Sequence, residues 1–405
     1  MFESQLLKRL WDEPSRLTEP HAMWPVRVRP RPDELLSSWL VRLAMAHGLK
    51  LHTFCSMAWP KKAIWNRDID KSADETLTNV LASRTGYTLT EARATTLSTY
   101  EGTLYEKHNP FGNTQWIMPI GVYHRTHRHF GLQFCAHCLA EDRTPYWRRT
   151  WRLAFTTVCH QHGVMLHDRC PKCSAPVNFH RNELGNRQQI VARSLVLCHS
   201  CGFDLRKAAN LAKHEADGAE VLFQQKLLAG IKQGWIDVRD GERVYTHLYF
   251  MALHQVMRLL ATGPKAEMIR AEVACSCGIK PLTSLFSGKH RRDIERLNVN
   301  QRRVLLVMAD YLLQEWPDRF IAFCQQLRVW SSTLLKDFEH APFWYWQVVH
   351  DHLYQISYCP SDEEIYSVIK YIDKMGMVVH TKAISRCLGV NNIFRKRKSK
   401  ASFNI

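Results

Sequence analysis

VCHQHGVMLHDRCPKC, residues 158–173, puts three cysteines and three histidines into sixteen positions. Such a density either buries as ordinary core or holds metal, and the flanking sequence decides between the two. Outward from this stretch, pairs with two intervening residues recur as Cys135/Cys138, Cys159/His162, Cys170/Cys173 and Cys198/Cys201, all within 67 residues. A Cys-x-x-Cys pair is a knuckle: its turn aims both sulfurs at one point, and backbone N–H groups hydrogen-bond the thiolates. Two knuckles complete a tetrahedral four-ligand zinc shell. The spacers are 20 residues between the first two knuckles and 24 between the last two, near the zinc-ribbon range. Cys159 and His162 then finish one centre, and Cys170 and Cys173 begin the next. An interleaved pairing would use the same eight residues, and spacing leaves it open; the sequential order is the expectation. Gly163 and Gly202 follow His162 and Cys201, which suits a tight knuckle exit. His160 and His167 are left over for solvent or ordinary hydrogen bonds. Both shells close at four ligands, so two structural Zn2+ ions are expected rather than a catalytic metal with an open position.

The chain has 405 residues, a mass of 47.3 kDa and 13 cysteines. That length holds two or three domains, each with its own core. An odd cysteine count argues for reduced thiols and metal rather than disulfides. The opening MFESQLLKRLWDEP has no apolar core of a secretory signal. No apolar run reaches the roughly 18 residues of a membrane helix. A cytoplasmic location without a membrane partner is therefore expected. Lys and Arg number 55 against 38 Asp and Glu, a balance of +17 with a pI near 9.4. Such a balance favours polyanionic partners, nucleic acid above all.

The chain divides into three regions: 24–131, helical and helix-turn-helix-like; 132–206, tandem zinc ribbons; and 207–405, helical with a basic helix-turn-helix-like tail. The fold class is mainly α with small β zinc ribbons. In the first region Asp33 reads as an N-cap, and Leu36, Trp39, Leu40 and Leu43 recur at helical spacing. Gly48 falls at a left-handed helix end, and a second helix runs through Met57. Ser72/Glu75 and Thr88/Glu91 read as capping boxes for helices through Leu81 and Tyr100. In the last region helices are expected over 220–234, 244–261 and 300–316, the last stopped by Pro317. A third capping box, Ser361/Glu364, opens a helix closed by Gly376. HTKAISRCLGV (380–390) reads as a short helix capped by Thr381, turning at Leu388–Gly389. A further helix from Asn391 would carry Arg395, Lys396, Arg397 and Lys398. With Lys382 and Arg386 these are the candidate nucleic-acid contacts; a solvated basic tail is the equal alternative.

Other clusters read more plainly. His124, His127 and His129 alternate with Arg125 and Arg128 as a basic surface, while Cys275 and Cys277 lack a second pair and read as buried thiols. The run Phe343, Trp344, Tyr345, Trp346 reads as helix core, with base stacking as the alternative. Neither a phosphate-binding glycine loop nor a catalytic Ser/His/Asp or paired-carboxylate set is present, so no enzyme is expected.

Two stretches together resemble the TniQ/TnsD family of transposon target-selection proteins. The first resembles the family's opening helix through Pro32, Glu34, Ser38, Trp39 and Arg42. The second resembles its zinc signature through Cys135, Cys138, Leu139, Asp142, Pro145, Tyr146, Arg148, Trp151, Cys159, His162, Cys170 and Cys173. Ala136 departs from the proline that commonly follows the first cysteine, while Pro171 keeps that feature in the third knuckle. The resemblance implies a non-enzymatic adaptor that reads a target, either DNA or a guide-RNA CRISPR effector complex. It also implies recruitment of an AAA+ transposition ATPase by the N-terminal half. Arg42, Tyr146, Arg148 and Arg149 are the candidate partner contacts, because Arg and Tyr serve well as interface anchors. A homodimer is compatible with this reading. The rival from a different class is a zinc-ribbon/helix-turn-helix transcription regulator; a zinc hydrolase would need an open metal position.

Overall fold

The computed structural model describes residues 23–120, 130–182, 194–211, 216–239, 241–280, 282, 293–354 and 360–389. The periodic run at Leu36 becomes helix α1 (Leu36–Ala46), and α2 (Leu51–Ala58) comes after a turn at Gly48. Gly48 sits at φ +65°, a conformation that costs a glycine little. The N-cap expected at Asp33 is not there. Leu35 takes that position without a side-chain cap, and Asp33 stands two residues earlier at φ +58°. The orphan N–H groups of the first turn are met from afar. Ser37 N–H donates to Asp70 Oδ1 at 2.8 Å, and Leu36 N–H to the Thr95 carbonyl at 2.9 Å.

Ser72 is no cap either. It closes the short α3 (Ile69–Ser72), and Asp74 caps α4 (Glu75–Thr85) by accepting Leu77 N–H at 2.9 Å. Aspartate one residue before the helix holds the cap better placed than the serine. The Thr88/Glu91 box forms as expected on α5 (Leu89–Arg93), but the helix stops there and a separate 3-10 turn covers Leu97–Tyr100.

The cysteine block begins on a helix, α6 (Ala136–Glu141), and continues through the two-residue strands β1 (Val158–Cys159) and β2 (Val164–Met165). Beyond it come α7 (Gly218–Gln233), a hairpin of β3 (Trp235–Arg239) and β4 (Glu242–Tyr245), then α8 (Thr246–Ala261) and α9 (Ala266–Cys277). Val244 and Tyr245, expected in a helix, are in β4. Next are helices α10 (Val299–Leu313), α11 (Asp318–Gln326), α12 (Ser331–Leu334) and α13 (Phe343–Leu353), with α10 ending ahead of Pro317. Last are α14 (Asp362–Lys374), opened by the Ser361/Glu364 box, and α15 (Thr381–Cys387). The cap of α15 is His380, which accepts Ala383 N–H at 3.0 Å, rather than Thr381.

One hydrophobic core runs from Trp24 to Leu353, and Ile365, Ile372 and Ile384 form a separate small one between α14 and α15. Arg302 and Asp168 join the cysteine block to the helices after it. Fully buried Arg302 donates to the Ala154 and Leu297 carbonyls and to Gln133, and Asp168 accepts Val299 N–H at the start of α10 at 3.0 Å. Among the described residues no helix is long and apolar enough to cross a membrane.

Candidate metal centres

The eight expected ligands gather into two four-ligand groups, Cys135, Cys138, Cys159, His162 and Cys170, Cys173, Cys198, Cys201. The sequential pairing is the one formed. In each group the ligand atoms lie within 4.8 Å of one another. In the first, Cys138 Sγ is 3.6 Å from Cys159 Sγ, and His162 Nδ1 is 3.4–3.5 Å from the three sulfurs. In the second, Cys170–Cys201 and Cys173–Cys198 are each 3.7 Å apart. A disulfide would need about 2.05 Å. A tetrahedron drawn around zinc at its usual bond lengths has edges of about 3.8 Å between sulfurs and about 3.6 Å between sulfur and nitrogen. The observed edges match, so the donor set and its spacing fit a closed tetrahedral zinc ion at each centre.

Local backbone explains the convergence. In the last three knuckles the residue four after the first ligand returns its N–H to that ligand's carbonyl: Gly163 to Cys159, Ser174 to Cys170 and Gly202 to Cys198, at 2.8–2.9 Å. All three adopt positive φ, so Ser174 does at the third knuckle what glycine does at the others. The first knuckle differs: Cys135 is the N-cap of α6, and Cys138 lies inside the helix. Phe134 and His167 exchange backbone hydrogen bonds at 2.9 Å, linking the approaches to the two centres. The His167 ring stacks on Phe134 and is no ligand; His160 is exposed.

Sequence reasoning missed Glu141, whose carboxylate is 2.9 Å from His162 Nε2. It lies three residues after Cys138 on α6, hence on the same helix face. This is the carboxylate–histidine pairing that fixes the tautomer presenting Nδ1 to a metal. In each centre one sulfur is favoured as the anion at its neighbours' expense: Cys135 and Cys138 are pushed above the ordinary thiol value beside Cys159, and Cys170 and Cys198 beside Cys173. Hydrogen bonds from Cys135 and Cys138 hold Cys159 far below the ordinary thiol value. Cys173 is drawn down to about 7 by the Ala175 N–H and the neighbouring thiols, against the desolvation that opposes it.

The signature positions of the first helix form a buried polar knot beside these centres. Glu34 accepts Arg42 at 2.5 Å, Ser38 at 2.7 Å and the Arg31 N–H at 2.8 Å. The Ser38 hydroxyl also accepts Trp147 N–H at 3.0 Å, and Leu35 N–H reaches the Trp147 carbonyl at 2.8 Å. The Trp39 indole donates to the Val28 carbonyl at 2.7 Å. Arg152, fully buried, donates to Asp68, Asp70 and the Met118 carbonyl. Thus α1 is clamped to the segment between the first two knuckles.

The remaining candidates are distributed unevenly. Arg42 is only 7% exposed, and Ser37 and Ser38 are buried too, so α1 has no polar face for a partner over Leu36–Ala44. The polar groups of α1 are spent on Glu34, Asp70 and Trp147. Arg148 is half-buried, paired with Asp142 at 3.1 Å and sandwiched by the Tyr146 and Trp151 rings. Arg149 pairs with Asp33 at 3.4 Å. Lys382 and Arg386 are exposed on α15, and Gly389 turns the chain at φ +66°. Arg395, Lys396, Arg397 and Lys398 lie outside the described residues, as do His124, His127 and His129. Cys275 is exposed rather than buried, at the end of α9. Of the aromatic run Tyr345 is core, while Phe343 and Trp346 face outward.

The family model for TniQ matches residues 25–166. This chain carries a TniQ segment. The match takes in the polar knot, the whole first metal centre and both strands of its hairpin, and it ends before Cys170. It marks the chain as a transposition-associated protein. Comparison with curated proteins returned no match.

Proposed function

We propose that the chain is a non-enzymatic target-selection adaptor of DNA transposition. It links a target, DNA or a guide-RNA effector complex, to an AAA+ ATPase that regulates the transposase. The observation that carries this reading is the clamping of α1, through Glu34, Ser38 and Trp147, onto the segment between the first two knuckles, whose four-ligand centre closes without an open position. Such a centre stiffens a scaffold and gives a substrate no place to bind. Zinc is the ion proposed for both centres, from their donors (three cysteines with one histidine, and four cysteines) and their tetrahedral edges. The half-exposed Tyr146, Arg148 and Arg149 are proposed as partner contacts, with Arg42 behind them. Lys382, Arg386 and the basic residues 395–398 are proposed to meet nucleic acid phosphates. The divisions at residues 132 and 207 are proposed as domain borders.

The test is reconstitution. Purified protein should contain two zinc ions per chain by elemental analysis and should recruit the AAA+ ATPase to target DNA. Arg148→Ala protein with normal zinc content should recruit it less. Wild-type protein that never binds the ATPase refutes the adaptor role; soluble, folded protein with one zinc or none refutes the metal assignment.

A further inference from the structure

The segment 28–33 is tied down along its inner side. The Val28 carbonyl accepts the Trp39 indole, the Arg29 carbonyl accepts Arg42 at 3.3 Å, and Arg31 N–H goes to Glu34. Its outer side is open over a cavity of about 640 Å³. Arg29, Arg31, Arg42 and Arg149 line this cavity, against the carboxylates Asp33 and Glu91. Glu91 pairs with Arg29 at 3.1 Å and Asp33 with Arg149 at 3.4 Å, while Arg42 is answered from behind by Glu34. Among the described residues no carboxylate pairs with Arg31, which is exposed at the rim. Among the described residues the cavity therefore keeps an uncompensated positive charge.

Its shape is held firmly. Asp33 is kept at φ +58° because Arg149 N–H donates to its carbonyl at 2.7 Å and the Thr150 hydroxyl to its carboxylate at 2.6 Å. A left-handed non-glycine residue held by such contacts is a feature that clusters at ligand-binding sites.

We propose that this cavity docks an acidic peptide segment, with one carboxylate on Arg31, another on Arg149, and its apolar stems against Val28, Pro30 and Pro32. The interleaved charges favour peptide over nucleic acid. A phosphate backbone carries negative charge at every step and would be repelled at Asp33 and Glu91, whereas a peptide can present an N–H or a lysine there. Arginine's planar fork also matches carboxylate geometry. The proposal deepens the adaptor reading and rests on it only for which protein carries the peptide.

The experiment uses full-length, zinc-loaded protein and a fluorescein-labelled peptide that alternates glutamate with glycine, read by fluorescence polarisation at physiological salt. A single-stranded oligodeoxynucleotide of matched charge serves as the competing probe. Arg29→Ala/Arg31→Ala removes the rim charge without touching the Arg42–Glu34 pair. Arg239→Ala/Arg243→Ala removes equal charge from the exposed β3–β4 hairpin. The rim variant should bind the peptide about tenfold more weakly, and the hairpin variant like wild type. Equal losses in the two variants, no measurable peptide binding, or a rim loss confined to the oligonucleotide would each overturn the proposal. ATPase recruitment is measured in parallel. Recruitment that survives while peptide binding fails sinks the cavity and leaves the adaptor; peptide binding without recruitment does the reverse.

Discussion

Glu141→Ala isolates the support of one metal centre from the centre itself. The Glu141 carboxylate accepts from His162 Nε2 at 2.9 Å while Nδ1 faces the three sulfurs, so its loss frees the ring to rotate or change tautomer without removing a ligand. Removing such an outer partner costs roughly 10–100-fold in metal affinity, about 1.4–2.8 kcal/mol. The Glu141 side chain is 67% exposed, which screens its charge and lets water replace it; the low end, about tenfold, is therefore expected. Glu141→Gln, which keeps an acceptor and drops the charge, should fall between. The assay is stepwise zinc release to a chromophoric chelator at neutral pH. The four-cysteine centre shares no ligand with the one that Glu141 supports and serves as the internal control. One zinc equivalent should leave at a lower chelator concentration and the other at the wild-type one. Coincident release of both equivalents at wild-type concentrations from Glu141→Ala would refute the role of the carboxylate. A shift of both together would mean that the change loosens the scaffold as a whole.

Asp70→Ala should destabilise the fold by about 3 kcal/mol in urea unfolding, because it uncaps Ser37 at the start of α1 and strips one carboxylate from fully buried Arg152. A loss below about 0.5 kcal/mol, the range of ordinary surface changes, would show that α1 does not depend on this cap. His180 is held down from 6.5 to about 3 by burial and by Arg181, so its contribution to stability is full above 6.5 and is lost as pH falls toward 3. Between about pH 7.5 and about pH 5.5 the linkage amounts to about 1.4 kcal/mol. In zinc-saturated buffer His180→Phe, which keeps a ring against Trp65, should lose that much less than wild type over the interval; identical pH profiles would count against it. Deleting residues 391–405 should weaken DNA binding across sequences and flatten its salt dependence; an unchanged slope would move the phosphate contacts elsewhere on the chain.

The metal centres were legible in the sequence because a knuckle is a local object. Two ligands, a turn and a left-handed exit are specified within five residues, as Cys159–Gly163 and Cys198–Gly202 are. Even the sequential pairing agrees with the shorter spacers. Helix periodicity carried α1, α2, α7 and most of α8 for the same reason. The hairpin before α8 was missed although Asp240–Gly241 is a strong turn signal, because Val244 and Tyr245 also continue the helical pattern of α8 itself. Other features were decided only by tertiary structure. Asp33 resembles a cap in every local respect, yet its carboxylate is taken by Thr150, 117 residues away, and the first-turn N–H of Ser37 is met instead by Asp70, 33 residues downstream. The Arg42 guanidinium is spoken for by Glu34 and the Arg29 carbonyl, and no local pattern announces either partner. The physical reason is shared: a turn or a ligand pair is set by torsions and spacing along the chain. Which partner satisfies a buried charge or an orphan N–H depends on what packing brings within hydrogen-bond range, and sequence separation carries no record of that distance.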